Sequence, residues 1–247
     1  MAMTRANVVL RTAAGTVTVG NVPRVVGTLS SLDFRGDIPS DIVEVRLDRT
    51  GRPSDWLGRC QAIESGGKPV LLTPRLQSEG GSWEADDLRR LEIYREALRE
   101  LAAVDVELGS VICRAVAEEA ARLQKACIVS YHDFQKTPPL TELCRLVEEA
   151  QKIGSIAKIS TMIIRESDVA ILRSLLERPW AKPLCVIGMG EAWAGTRVEF
   201  AALGSCLTYG YLDASAAPGQ WHAAELARQL RAAVPAYAKT ELAPPLL

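Results

Sequence analysis

The chain lacks a charge excess of either sign: 30 acidic and 29 basic residues leave its 247 residues with a formal net charge of -1. That balance gives no electrostatic footprint for nucleic acid, and no block of like charge marks a tail or a membrane-surface segment. No apolar run approaches the roughly 20 residues of a membrane span, and no long apolar stretch follows the basic residues near the N-terminus. A cytoplasmic protein with neither nucleic acid nor membrane as partner is expected. Histidine is scarce, with two in the chain, and the six cysteines (Cys60, Cys113, Cys127, Cys144, Cys185 and Cys206) show no C-x-x-C spacing. This argues against a disulfide framework or a zinc site and for reduced thiols in the core. No Gly-rich dinucleotide fingerprint follows the first strand-like run, and Gly188-Met189-Gly190 lacks the third glycine.

What is present suits one large α/β domain over residues 1–247, since 48% hydrophobic and 24% charged residues are ordinary for a globular chain of this length. Residues 1–22 read as a hairpin, with strands at Val8 to Leu10 and Val17 to Val19 turning at Ala14-Gly15. Short apolar runs then begin near Arg24, Ile42, Val70, Ala103, Ala126, Ser155, Leu184 and Cys206, alternating with helical segments. Eight strand-helix units in this length predict a (β/α)₈ TIM barrel, with the hairpin closing its bottom. One amphipathic helix is expected from Asp86-Asp87 through Leu98, another from Thr141-Glu142 through Ile153 with Gly154 as its stop. A last helix is expected to end near Ala238, and 241–247, with Pro244-Pro245, reads as a flexible tail.

Strand side chains alternate between two faces, so parity sorts each run into a set facing the barrel interior and a set facing the helices. In the run at Ile42, Val43, Val45 and Leu47 share one face, and Glu44, Arg46 and Asp48 share the other. The charged set must point inward, because the outer face lies under apolar helices. The same parity turns Thr73 with Arg75, Asp105 with Glu107, Ser130 with His132, and Lys158 with Ser160 inward. Uncompensated interior charge costs several kcal/mol, so the cluster must be paired, hydrated or bound to a ligand. Asp105 and Glu107 are read as structural partners of basic neighbours deeper in the barrel, and Glu44 and Arg46 as site residues. Lys158 lies inside Ile156-Ala157-Lys158-Ile159, where burial should lower the amine's pKa towards a range in which it attacks a carbonyl. Of the two histidines, His132 lies late in an inner-face strand and suits acid-base work, whereas His222 opens the final helix as a cap or surface residue.

Jointly these motifs resemble the type I 3-dehydroquinate dehydratases, over about Pro23 to Gln220. The resemblance is carried by Glu44-Val45-Arg46-Leu47-Asp48, by Thr73-Pro74-Arg75 with Glu79-Gly80-Gly81, and by Ser130-Tyr131-His132-Asp133-Phe134 with Thr137-Pro138. It continues through Lys158-Ile159, Met189 with Thr196-Arg197, and Ala217-Pro218-Gly219-Gln220. It implies that Lys158 forms an imine with the C3 ketone of 3-dehydroquinate, and that His132 removes a C2 proton and later helps the C1 hydroxyl depart as water. Glu79 would orient and polarise the histidine from a mobile loop, and Arg197 would grip the substrate carboxylate. Glu44, Arg46, Arg75 and Gln220 would hold hydroxyls and order the cationic site, Thr28 would stand where the family has a small hydroxyl residue, and Met189 would pack against the ring. The resemblance implies no metal or diffusible cofactor, a small-molecule substrate as the partner, and a homodimer.

The match has departures. Where the family has Ser-Ala before the proline, this chain has Ala216-Ala217, with Ser215 one residue early and available as a substitute if the loop shifts. Trp193 stands for a family glycine, Thr196 for the usual serine, and the stretch after Lys158 lacks a common proline. Two other readings stay open at this point: a different Schiff-base lyase acting on a related keto acid, and a non-catalytic barrel that binds a shikimate-pathway metabolite.

Overall fold

The computed structural model describes residues 6–84 and 86–240, so the expected tail at 241–247 lies outside the described residues. An antiparallel pair, β1 (Val8–Thr12) and β2 (Gly15–Val19), comes first, as the hairpin pattern predicts. Eight parallel strands follow: β3 (Arg24–Leu29), β4 (Ile42–Val45), β5 (Val70–Leu72), β6 (Ala103–Glu107), β7 (Ala126–Asp133), β8 (Ile156–Met162), β9 (Leu184–Met189) and β10 (Leu207–Tyr211). They are ordered β10-β3-β4-β5-β6-β7-β8-β9. The two ends of this sheet come together, with the Cys206 amide just before β10 donating to the Leu184 carbonyl of β9 at 2.9 Å. The result is the expected TIM barrel.

Helices α1 (Trp56–Ser65), α2 (Asp87–Glu100), α3 (Cys113–Arg122), α4 (Leu140–Ile153), α5 (Glu166–Leu176), α6 (Thr196–Ala202) and α7 (Ala223–Ala233) cross over outside the strands. The β3 to β4 connection is a loop. The Asp213 carboxylate pins its start by accepting from the amides of Ser30 and Ser31 at 2.9 and 2.7 Å. Local sequence explains the helix ends. Asp86 caps α2 by accepting from the Arg89 amide at 3.1 Å, satisfying one of the orphan donors of the first turn. Gly154 stops α4 where a Cβ would stand 2.8 Å from the Cys127 carbonyl oxygen, so only glycine fits there.

The final helix departs from expectation. It breaks at Val234, and Pro235 opens a separate α8 (Pro235–Thr240), because proline has no amide to continue the ladder and its ring crowds the preceding turn.

Two apolar bodies hold the barrel. Outside, Val43, Val45, Val104, Val129, Ile159 and Val186 pack against Ile93, Leu143, Val147, Leu172, Phe200 and Leu226 of the helices. Inside, at the N-terminal ends of the strands, Ile42, Leu71, Ala103, Ile128, Ile156 and Leu207 cluster with Leu10 and Val19 of the hairpin. The hairpin therefore floors the barrel, and each buried leucine, isoleucine or valine contributes roughly 1.5–3 kcal/mol by leaving water. The six cysteines are buried free thiols. With the lower half filled by apolar groups, inward polar side chains are confined to the C-terminal half.

Candidate active site

A cavity opens among the C-terminal ends of the strands. Thr28, Glu44, Arg46, Arg75, Glu79, His132, Lys158, Met189, Arg197 and Gln220 all border it, together with Phe134, Ser160, Ile187, Tyr209, Ala216 and Ala217. Parity accounts for most of this gathering, since the bordering strand residues lie on inward-facing positions of six different strands.

Lys158 projects from β8 and is only 4% exposed. Its Nζ lies 3.0 Å from Asp105 Oδ2 and 4.2 Å from the centre of the Tyr209 ring. Asp105 also accepts from Arg75 Nη2 at 2.7 Å and from the Ser130 hydroxyl at 2.6 Å. Burial works to push the Asp105 carboxyl up, but the flanking Arg75 and Lys158 charges outweigh it and hold the group well below the usual carboxylate range. The expected pairing of Asp105 with basic neighbours is present. Its place is different: one of those neighbours is Lys158 itself, so Asp105 belongs to the site and not to a deeper layer. Burial alone left out both this counter-charge and the aromatic face that fix the amine.

His132 and Glu79 meet across the cavity wall. Glu79 Oε2 lies 2.8 Å from His132 Nδ1 and accepts from the His132 amide at 3.0 Å. Burial, reinforced by the charges of Glu107 and Asp105, pushes the Glu79 carboxyl up to about 8 against the pull of Arg75. Burial, with Arg75 and Lys158 close by, drives the imidazolium well below its ordinary value. When Glu79 is ionised, Nδ1–H donates to it and Nε2 is free to accept a proton. When the dyad gains a proton, Nε2 carries hydrogen and can deliver it. One pair thus holds base and acid forms on either side of a single titration.

Glu79 ends a short 3-10 turn, Gln77–Glu79, and the chain behind it is held tightly. Gly80 has φ 77°, and a Cβ there would meet the Phe134 ring at 2.4 Å. At Gly81 a Cβ would fall 2.1 Å from the Arg75 carbonyl oxygen. Phe134 in turn stacks near His132, at 6.4 Å between ring centres and 20° between planes. The glycine pair is what lets the turn carrying Glu79 approach the histidine.

Around this centre the polar wall is cross-braced. Glu44 accepts from the hydroxyls of Thr28 and Thr73, each at 3.0 Å. Arg46 makes a two-pronged contact to Asp48 at 2.9 and 2.8 Å. Asp48 also accepts from the amides of Arg75 at 3.3 Å and Ser82 at 3.0 Å, joining two loops. Arg197 donates to the carbonyls of Gly219, Tyr209 and Pro218 at 3.0, 3.3 and 3.3 Å, and no carboxylate among the described residues pairs with it. Burial lowers its guanidinium to about 10. A buried cation held by carbonyls alone suits an anionic group of a ligand. Gln220 accepts from the Ala216 amide at 2.7 Å and donates to the Thr28 hydroxyl at 3.4 Å.

Ser215 is not brought in. Its side chain is exposed and donates to the Ala217 carbonyl at 3.1 Å, while Ala216 and Ala217 border the cavity. His222 caps α7, accepting from the Ala224 amide at 3.2 Å, away from the cavity. Reading by motif also passed over Tyr209 and Ser160, although both fall on inward parity positions of their strands.

Comparison with known proteins bears on this geometry. The family model described as type I 3-dehydroquinase matches residues 22–234. The 3-dehydroquinate dehydratase of Methanothermobacter thermautotrophicus is 34% identical over 184 residues, 74% of this chain and 81% of that protein. That of Methanothrix thermoacetophila is 36% identical over 196 residues, 78% of this chain and 81% of its own. Among solved structures, the type I 3-dehydroquinate dehydratase of Clostridium difficile superposes with a TM-score of 0.79 at 22% identity, covering 92% of this chain and 98% of that one. The Enterococcus faecalis 3-dehydroquinate dehydratase does so with a TM-score of 0.75 at 26% identity, covering 87% and 95%.

Proposed function

Because this chain belongs to the type I 3-dehydroquinase family and dehydrates 3-dehydroquinate in the shikimate pathway, we propose that it does so through an imine on Lys158, with His132 moving the protons. The amine adds to the C3 ketone and the oxygen leaves as water, giving an iminium that serves as an electron sink. The Nε2 of His132 takes the C2 proton, and the electrons pass into the enamine. They return to expel the C1 hydroxyl, which leaves as water with the proton now on Nε2. Hydrolysis of the conjugated iminium frees 3-dehydroshikimate and restores Lys158.

The observation that carries this reading is the meeting in one cavity of a buried amine fixed by Asp105 and a histidine whose Nδ1 is held by Glu79. A positioned acid-base group adds a factor of about 10² to 10⁴, and the imine lowers the barrier to C–H cleavage further. Arg197, with no carboxylate partner among the described residues, takes the substrate carboxylate. Glu44, Arg46, Arg75, Thr28 and Gln220 hold the hydroxyls, and Met189 packs on the ring. The same reading places the enzyme in the cytoplasm as a homodimer with no nucleic-acid partner, in keeping with a net charge of -1.

Borohydride with 3-dehydroquinate tests it. The adduct should add ligand mass at Lys158 and be absent in Lys158→Ala, whose turnover should fall at least about 10³-fold. An unmodified Lys158 under saturating substrate, in protein that still turns over, would refute the imine.

A further inference from the structure

Two side chains one turn apart on α2, Arg90 and Tyr94, are fully buried although the helix lies outside the barrel. Arg90 Nε donates to the Pro74 carbonyl at 3.0 Å, immediately before Arg75, and Nη1 donates to the Ser110 hydroxyl at 3.2 Å. Its Nη2 donates to Glu107 Oε2 and to the Tyr94 hydroxyl, which itself donates to the Asp105 carbonyl at 2.7 Å. The second Glu107 oxygen accepts from Arg75 Nη1 at 3.0 Å and from the Leu76 amide at 2.9 Å. One carboxylate therefore bridges two guanidinium groups. Arg75, on the cavity side, also reaches Asp105 and through it Lys158. Arg90, Tyr94 and Glu107 do not border the cavity.

We infer that Arg90 is a positioning residue for the dehydration: through Glu107 and the Pro74 carbonyl it fixes Arg75, and through Arg75 the Asp105–Lys158 pair and the Glu79–His132 dyad. The inference rests on the Lys158 and His132 reading above. Its physical basis is charge balance in a dry interior, where removing one member of a hydrogen-bonded ionic chain leaves its partner uncompensated. The groups facing Glu107 are Arg75 and Glu79 from the segment after β5, Arg90 and Tyr94 from α2, Asp105 on its own strand and Cys113 from α3; Ser130 of β7 is its partner in the strand register, and His132 follows through Asp105. Lys158 of β8 follows through Asp105. Asp87 stands 3.8 Å from Arg90 on the solvent side. With Arg90 gone, Glu107 is neutralised by Arg75 alone, and more negative potential falls on Glu79. The dyad then keeps its proton to higher pH, so less Nε2 is free as base at any given pH.

The test compares pH profiles of kcat/KM. In Arg90→Gln the limb that reports the dyad should move up by about one pH unit, with kcat near neutrality down by about tenfold. Arg90→Lys, which keeps the charge, should leave the limb in place, and Arg90→Gln with Glu107→Gln, which removes both charges, should return it to the parent position. A parent-like limb in folded Arg90→Gln, the same displacement in Arg90→Lys, or a displacement that persists in the double variant would each overturn the inference. If Arg90→Gln alone does not fold, the double variant is compared with Glu107→Gln. Equal limb positions overturn the inference, and a limb displaced upward in the double variant supports it. Borohydride capture at Lys158 in the parent separates this outcome from failure of the imine reading itself.

Discussion

Replacing Glu79 with glutamine keeps the shape of the side chain and an oxygen that can accept from both the His132 amide and Nδ1–H, while removing the one group that changes charge. Glu79 is 15% exposed and its carboxyl is pushed from an ordinary 4.5 to about 8, so in that window the native state binds a proton that the unfolded chain has released. For a carboxyl raised in this way, stability falls as pH climbs through the window. The linkage amounts to roughly 5 kcal/mol once pH exceeds 8, and residual solvent access brings the expected difference to about 2–4 kcal/mol.

Glu79→Gln should therefore match the parent in urea unfolding near pH 5, where the native carboxyl is neutral, and exceed it by about 2–4 kcal/mol near pH 9. His132 does not disturb the comparison near pH 9, being neutral in both states there. Activity should move the other way. Without the carboxylate on Nδ1 the imidazolium loses its hydrogen-bonded counter-charge beside Arg75 and Lys158, so the dyad limb should leave the region of pH 8 for lower pH. The weaker base should reduce kcat by about 10²-fold. Equal stability gains at both pH values, or a limb that stays near pH 8, would refute the assignment of that titration to Glu79.

Other positions give separate checks. Ala216→Ser places a hydroxyl on the cavity wall and should lower KM by up to about tenfold, whereas Ser215→Ala, altering an exposed side chain, should leave steady-state kinetics unchanged. In Gly81→Ala the new methyl meets the Arg75 carbonyl oxygen, so the Glu79 turn must shift, and kcat should fall by more than about tenfold. Leu10→Ala should cost about 2–4 kcal/mol in unfolding free energy by opening a void in the barrel floor, with kcat near the parent value when measured well below the melting temperature.

Alternation made the site's wall readable. Glu44 and Arg46 between Val43, Val45 and Leu47 could face only inward, and Lys158 between Ala157 and Ile159 could face only the same interior. Partners across the barrel leave no such trace. Nothing near Asp105 in the chain says that its carboxylate will sit on Lys158 and not on a lower residue, because that contact depends on how the strands stagger. Arg90 is harder still: Arg89 and Arg90 are consecutive on α2, one exposed and the other fully buried, and the local pattern does not separate them. Ser215 and Ala216 differ by a single step along an irregular loop, where no periodicity fixes which side chain turns inward. The break at Val234 was signalled by Pro235, whose missing amide limits a helix wherever it falls in the interior.

The hairpin that floors the barrel has a consequence for traffic. Leu10 and Val19 fill the end opposite the cavity, so substrate, dehydrated product and the expelled water share the mouth beside Glu79 and the loop at Ala216. Each turnover is then a batch process: the vessel is loaded and emptied by the same way. An enzyme built in this manner has its fastest possible rate set by how quickly that mouth exchanges its contents, and solvent viscosity becomes a direct handle on turnover once the chemistry outruns the exchange.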